Sequence, residues 1–169
     1  MKYLPIINTA LLVVVLSIVA LTAFDKPKMA YVDLGTVFNE FAMQQELSGQ
    51  LEQLNNTRQV QLDSLEVNLQ RMASLPEFNP EAPNTRFLQL RQDYLQRKEQ
   101  YEQDSQRLVQ EYDKQIWTQL NQYLNDFGQK ANYSFVFGAN GQGSVMFADA
   151  ELNLTKEVIS YINERYEGK

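Results

Sequence analysis

The sequence contains no cysteine and no histidine. Disulfides, thiol nucleophiles, thiolate metal sites, imidazole bases and imidazole ligands are therefore all excluded. No glycine is followed by Lys-Ser or Lys-Thr, the residues that a phosphate-cradling P-loop requires, so nothing points to a bound nucleotide. Positive charge is in short supply, with Lys+Arg 15 against Asp+Glu 21 and a net charge of −6. That balance argues against nucleic acid, whose binders present clustered positive charge, and directs attention to protein partners. Carboxylates are abundant, but none sits in a recognisable pocket motif, and without a named base, nucleophile or cofactor site the chain does not read as an enzyme.

One long hydrophobic run is present, from Leu4 to Phe24, with Lys2 ahead of it. Its fully apolar part, Ala10 to Phe24, is at the upper edge of a signal-peptide core, while the whole run approaches the ~20 residues that span a bilayer. Cleavage after Ala23 would place Leu21 where a small residue is usual. Residues 1–24 are therefore an export signal or a membrane anchor, and both place the remainder beyond the membrane.

From about Gly35 to Ala131 the pattern is helical. Leu47, Leu51, Leu54, Leu62, Leu65, Leu69 and Met72 recur at spacings of three and four, apart from a skipped beat at Arg58. This is one narrow apolar stripe on a polar helix, a coiled-coil signal with a local change of supercoil expected at Arg58. A returning arm carries Phe87, Tyr94, Tyr101 and Leu108 every seven residues, then Tyr112, Ile116, Leu120, Leu124 and Phe127 at spacings nearer four. Between the arms lie Pro76, Pro80 and Pro83, which remove helical donors and reverse the chain over about residues 75–85. Arms of matched length, each on the order of 65 Å, make an antiparallel hairpin, or prong. Ser48-Gly49 marks a weak point where a short first helix is expected to join the long arm at an angle.

The remainder is small. Met29–Leu34 signals a strand, and Asp33 is placed to cap the following helix. Asn132–Phe137 and Ser144–Phe147 surround a Gly/Asn-rich segment and read as a β-hairpin, and a short amphipathic helix capped by Asn153 or Thr155 closes the chain. The expected fold class is α+β, with a small β-strand head split between residues 25–34 and 132–169 and a long helical hairpin, residues 35–131, inserted into it. A head this small leaves strand edges open and little core, deficits that self-association closes.

This layout resembles the Skp (OmpH) family of periplasmic chaperones of Gram-negative bacteria. The resemblance rests on Ala30-Tyr31-Val32-Asp33-Leu34-Gly35-Thr36-Val37-Phe38, the Gln- and Leu-rich arms, and Tyr133-Ser134-Phe135-Val136-Phe137-Gly138-Ala139-Asn140. It implies a homotrimer whose heads join their strands in one body, with Tyr31, Val32, Phe135, Phe137, Val145 and Phe147 assigned to that body. It also implies three prongs around a cavity in which unfolded outer-membrane proteins are held without nucleotide or other cofactor. Tyr94, Tyr101, Tyr112, Trp117 and Tyr123 are the candidate client contacts, since aromatic rings with a polar tip adapt to varied partners. Tyr123, off the heptad stripe, is the one least expected to pack one arm on the other. Family members known for basic prongs differ from this chain, whose arms carry Glu46, Glu52, Asp63, Glu66, Glu99, Glu102, Glu111 and Asp113 among fewer cations, so no lipopolysaccharide site is carried over. A second reading is a structural or adaptor subunit of an envelope assembly, held at the inner membrane through residues 4–24.

Overall fold

The computed structural model describes residues 9, 11–17, 27–141, 143 and 145–168. The leader-or-anchor segment, residues 1–24, lies largely outside them. Within it, residues 11–17 are helical, Leu11 to Leu16 are exposed, and the Ser17 hydroxyl donates to the Val13 carbonyl at 2.8 Å. Among the described residues no helix is long and apolar enough to cross a membrane.

The elements from residue 29 onward run β1 (Met29–Asp33), α1 (Leu34–Glu40), α2 (Ala42–Ala73), α3 (Thr85–Lys130), β2 (Phe135–Ala139), a single 3-10 turn (Ala150–Leu152) and α4 (Thr155–Tyr166). The fold is mostly helical, a long antiparallel hairpin of α2 and α3 rising from a small head that contains a two-stranded sheet. β1 begins more than a hundred residues before its partner, and the two strands pair in parallel with Met29 opposite Phe135 and Asp33 opposite Ala139. The hairpin brings the chain home so that this pairing forms. On its other edge β1 meets the C-terminal segment: the Leu154 N–H donates to the Tyr31 carbonyl at 2.9 Å, and the Asp33 N–H donates to Thr155 Oγ1 at 2.9 Å.

The buried core is confined to the head and the root of the hairpin. Val32 of β1, Val37 of α1, Phe41, Ile116 and Leu120 of α3, and Val158 and Ile162 of α4 meet there. Fully burying each such side chain is worth about 1.5–3 kcal/mol. α2 has no fully buried residue, and α3 has none beyond Ile116 and Leu120. Its 46 residues extend about 69 Å, further than the 32 residues of α2, because the base of α3 continues beneath the head.

Several caps were foreseeable from residue type. Asp33 Oδ1 accepts from the Thr36 N–H at 3.0 Å, Asn84 Oδ1 accepts from the Phe87 N–H at 2.8 Å, and Asn153 Oδ1 accepts from the Thr155 N–H at 2.9 Å. The proline-broken reversal occupies residues 74–84, where the Phe78 and Phe87 rings pack with centroids 4.9 Å apart.

Two expectations are corrected. The break in the outgoing arm falls at Phe41, not at Ser48-Gly49. Phe41 is extended (φ −72°, ψ 122°) and completely buried, with its ring edge-on to Tyr123 and Tyr166. Asn163 bridges the break: its Oδ1 accepts from the Ala42 N–H at 2.8 Å, and its Nδ2 donates to the Glu40 carbonyl at 2.9 Å. Burial and this double bond outweigh the local weakness of Gly49, which is simply solvated within a continuous helix. The second correction concerns the C-terminal hairpin. β2 is present, but Val145, Met146 and Phe147 form no strand, and Met146 and Phe147 are 88% and 86% exposed. Gly141 and Gly143 do adopt the positive φ of a turn, yet the segment beyond them finds no surface in its own chain to cover.

Replacing Asn163 with Leu leaves the Ala42 donor and the Glu40 acceptor without their partner and is expected to destabilise the protein by about 1–3 kcal/mol; an unchanged thermal midpoint would show that the bridge does not hold the α1–α2 break. A second expectation concerns pH. The Thr36 backbone N–H holds the Asp33 carboxyl below its ordinary value. A depressed folded pKa gives stability that is present above the unfolded value and lost as pH falls through the folded one. The stability gap between wild type and Asp33→Ala should therefore narrow below about pH 4, as read by denaturant titration at pH 7 and pH 3.

Candidate functional site

The chain offers surfaces rather than a pocket. A groove of about 730 Å³ lies at the prong tip among Met72, Leu75, Arg86 and Leu90 and mixes apolar with cationic lining. No group of three or more Asp and Glu among the described residues is placed to hold a metal ion. What stands out is apolar area that the chain leaves uncovered.

The predicted aromatic residues fall into two groups. Tyr94 and Tyr101 are half-buried in the seam between α2 and α3; the Tyr101 hydroxyl donates to Gln61 Oε1 at 2.7 Å, and the Arg58 guanidinium lies 4.9 Å from its ring centre. The other three belong to the root. Tyr112 and Tyr123 pack on the core, and Trp117, still 39% exposed, stacks on Phe38 with centroids 5.1 Å apart. Tyr123, expected as an off-stripe residue to be freer than Tyr94 and Tyr101, packs on Phe41, because the bend at Phe41 brings that ring against the base of α3.

Sequence reasoning missed the more exposed apolar residues. Leu88, Leu95 and Val109 on α3 are 47%, 52% and 44% exposed, and Val60 and Val67 on α2 are 67% and 52% exposed. On α3 each sits one residue after a seam residue, Phe87, Tyr94 and Leu108. A step of one residue turns a helix by about 100°, so the seam stripe has a parallel partner facing away from it. The signal was legible as a doubling of the heptad position at Phe87-Leu88, Tyr94-Leu95 and Leu108-Val109, broken only at Tyr101-Glu102. Charged groups around it are mostly solvated pairs, such as Arg97 with Asp93 at 2.7 Å.

A second bare surface lies on the head. Alternation along β1 and β2 puts Ala30 and Val32 on the core side, and there Gly138 is required, since a Cβ on it would come within 2.3 Å of Leu34 Cδ1. The opposite face carries Met29, Tyr31, Phe135 and Phe137 in register. Phe135 and Phe137 are 56% and 47% exposed, and their rings stack with centroids 6.0 Å apart. Of the residues assigned to an inter-subunit body, then, Phe135, Phe137 and Phe147 are exposed, Tyr31 and Val145 are half-buried, and Val32 is buried in the head's own core.

These features match a known family. The sequence model described as outer membrane protein (OmpH-like) matches residues 28–162. A crystal structure of an OmpH-like protein from Caulobacter crescentus aligns over 83% of this chain and 86% of that one, with 13% sequence identity and a TM-score of 0.48. No curated protein matches the sequence. The family match takes in both strands, the whole hairpin and most of the closing helix, and on that extent the chain belongs to the OmpH-like outer membrane protein family.

Proposed function

We propose that the protein is an ATP-independent holdase of the Gram-negative periplasm that binds unfolded outer-membrane proteins between the prongs of a homotrimer. The observation that carries this reading is the placement of uncovered apolar side chains. One set runs along the prong, and another covers one face of a two-stranded sheet. Contiguous exposed apolar area marks interaction surfaces, and the two sets suit different partners. The flat sheet face, with stacked Phe135 and Phe137 beside the uncovered Met146 and Phe147, suits a permanent contact with further copies of the chain, in keeping with the need of a two-stranded sheet for cover. The prong's separated Leu88, Leu95 and Val109 suit weak, repeated contacts with an extended apolar segment.

The mechanism needs no chemistry. A client in transit exposes apolar, strand-prone segments that aggregate. Many weak contacts lower its free concentration without imposing one conformation, and binding the unfolded state opposes both aggregation and premature folding by mass action. The split head, residues 25–34 and 132–169, serves as the trimer body, and residues 35–131 as the client arm. The acidic arms steer by long-range field toward basic or neutral clients. A second reading, a form tethered at the inner membrane, is favoured by the exposed apolar helical stretch Leu11 to Leu16; the intact mass and N-terminus of the protein from its native envelope distinguish it from a diffusing chaperone.

Residues 25–169, purified, should form a trimer and suppress aggregation of a denatured porin at near-stoichiometric ratio without ATP; a stable monomer without effect on aggregation rejects the proposal. Removing roughly Leu62 to Tyr101 should leave the trimer and abolish holding. Changing Leu88, Leu95 and Val109 together to Ser should weaken client affinity about tenfold at unchanged thermal midpoint, whereas Phe135→Ser with Phe137→Ser should yield monomers by analytical ultracentrifugation. Association rates of an acidic and a basic client measured across a salt series test the steering, which fails if both respond alike.

A further inference from the structure

The middle of the prong breaks the rule that the rest of it follows. Arg58 stands where the stripe from Leu54 to Leu62 calls for an apolar residue. Its side chain is only 15% exposed and meets Asp104 Oδ2 at 3.4 Å, Ser105 Oγ at 3.2 Å and the Tyr101 carbonyl at 3.5 Å. The Ser105 hydroxyl in turn donates to Asn55 Oδ1 at 2.8 Å, and the Tyr101 hydroxyl to Gln61 Oε1 at 2.7 Å. Asp104 is shared with Arg107, 3.0 Å away. The α2 stripe is thus interrupted opposite the polar pair Asp104 and Ser105 of α3, and every side-chain hydrogen bond between the two arms among the described residues falls in this one layer.

Such a layer is a poor way to gain stability. Taking an ion pair out of water costs about as much as the attraction returns, and an apolar substitute of similar size is often neutral or stabilising. A place where a sequence breaks its own local rule is where function is to be sought. Outward of the layer, residues 59–73 and 85–100 contain no fully buried side chain; Leu62, Leu65, Leu69, Phe87 and Leu90 are only half-buried, Phe87 partly by Phe78 of the reversal. Separating the arms there exposes less apolar surface than separating them at the root, where Ile116 and Leu120 anchor α3. A client segment can replace the cover that is lost.

We propose that the hairpin outward of Arg58 opens along its seam when it takes up a client, presenting Leu62, Leu65, Leu69, Phe87 and Leu90 to it, and that the polar layer is the point at which opening stops. This rests on the holdase reading and concerns how the same arm offers its client surface. The layer keeps the outer seam weak, because it breaks the continuity of leucine packing from root to tip, and opening ends there because the arms rootward of it are held by the core around Ile116 and Leu120.

Hydrogen exchange on the full-length chain, with and without a denatured porin, tests the proposal alongside the double variant Arg58→Leu, Asp104→Leu. Separated arms of this length are marginal helices, so opening registers as amide exchange. In the wild type, amides of residues 59–73 and 85–100 should exchange at least about tenfold faster than those of residues 106–127, and faster still with porin present. The double variant should slow outer-hairpin exchange, raise the thermal midpoint and reduce porin capture about tenfold. The proposal is overturned by a wild-type outer hairpin as protected as the root, by a variant that closes the seam yet captures porin normally, or by a variant that is less stable, which would make the layer a brace. A wild-type chain that captures no porin at all removes the holdase reading itself, an outcome distinct from these three.

Discussion

The packing of β1 and α1 against the returning base of α3 and against α4 is the constraint on which everything else depends. Phe41, Val37 and Val32 come from the first part of the chain, while Leu120, Val158 and Ile162 come from the last. Neither part has a core without the other. Closing a loop of about a hundred residues costs only slowly more as the loop grows, but here the loop is also stiff: two antiparallel helices deliver Phe135 opposite Met29 with little slack. The prong is therefore not an ornament on the head; its length and reversal are the condition for the head to exist.

Among the described residues, the cluster of fully buried large side chains is confined to that meeting point. The consequence is a division of surfaces. The head hides one face of its sheet and leaves Phe135 and Phe137 on the other. The prong hides half of each seam residue and leaves Leu88, Leu95 and Val109 bare. Exposed apolar area is thus a direct result of a long, thin architecture with no third layer, and it is the property that a protein handling unfolded chains needs. The root is different in kind. Asn163 stitches Glu40 to Ala42, and the Tyr166 hydroxyl donates to Glu46 Oε2 at 2.7 Å, a bond to a carboxylate that raises the pKa of the phenol. These ties set the angle at which the arm leaves the head.

How far the sequence could be read depended on the range of the interaction concerned. The two helices, the tip at Pro76 to Pro83, and the cap at Asp33 were legible because periodicity, missing donors and side-chain acceptors act within a few residues; the closing helix has Leu154 at its N-cap, with Asn153 one residue earlier bonding the Thr155 N–H. The bend was misplaced because Gly49 is a local weakness, whereas Phe41 bends through contacts with Tyr123, Tyr166 and Asn163, residues far away in sequence. The strand expected at Ser144–Phe147 followed from β-propensity, which reflects fit to a half-buried surface more than a backbone preference; Ser144 lies outside the described residues, and the chain bends at Met146, so that Val145 to Phe147 form no strand. The exposed stripe on α3 was overlooked because Leu88 and Leu95 adjoin Phe87 and Tyr94, and a one-residue offset looks like redundancy until the opposite arm shows which of each pair is covered.

By itself, the sequence determined the architecture: two amphipathic arms around a proline-rich reversal make a long helical hairpin, and the little that remains makes a small head. It also determined where α1 starts, since the Asp33 carboxylate acts on the next turn. The tertiary structure alone decided which apolar residues are spent on the core and which remain outside, that β1 and β2 run parallel, and that Arg58 is held by Asp104, Ser105 and the Tyr101 carbonyl rather than left in solvent. The physical reason is the same in each case. Burial and pairing are properties of two segments brought together, and here the segments that meet are separated by forty to more than a hundred residues.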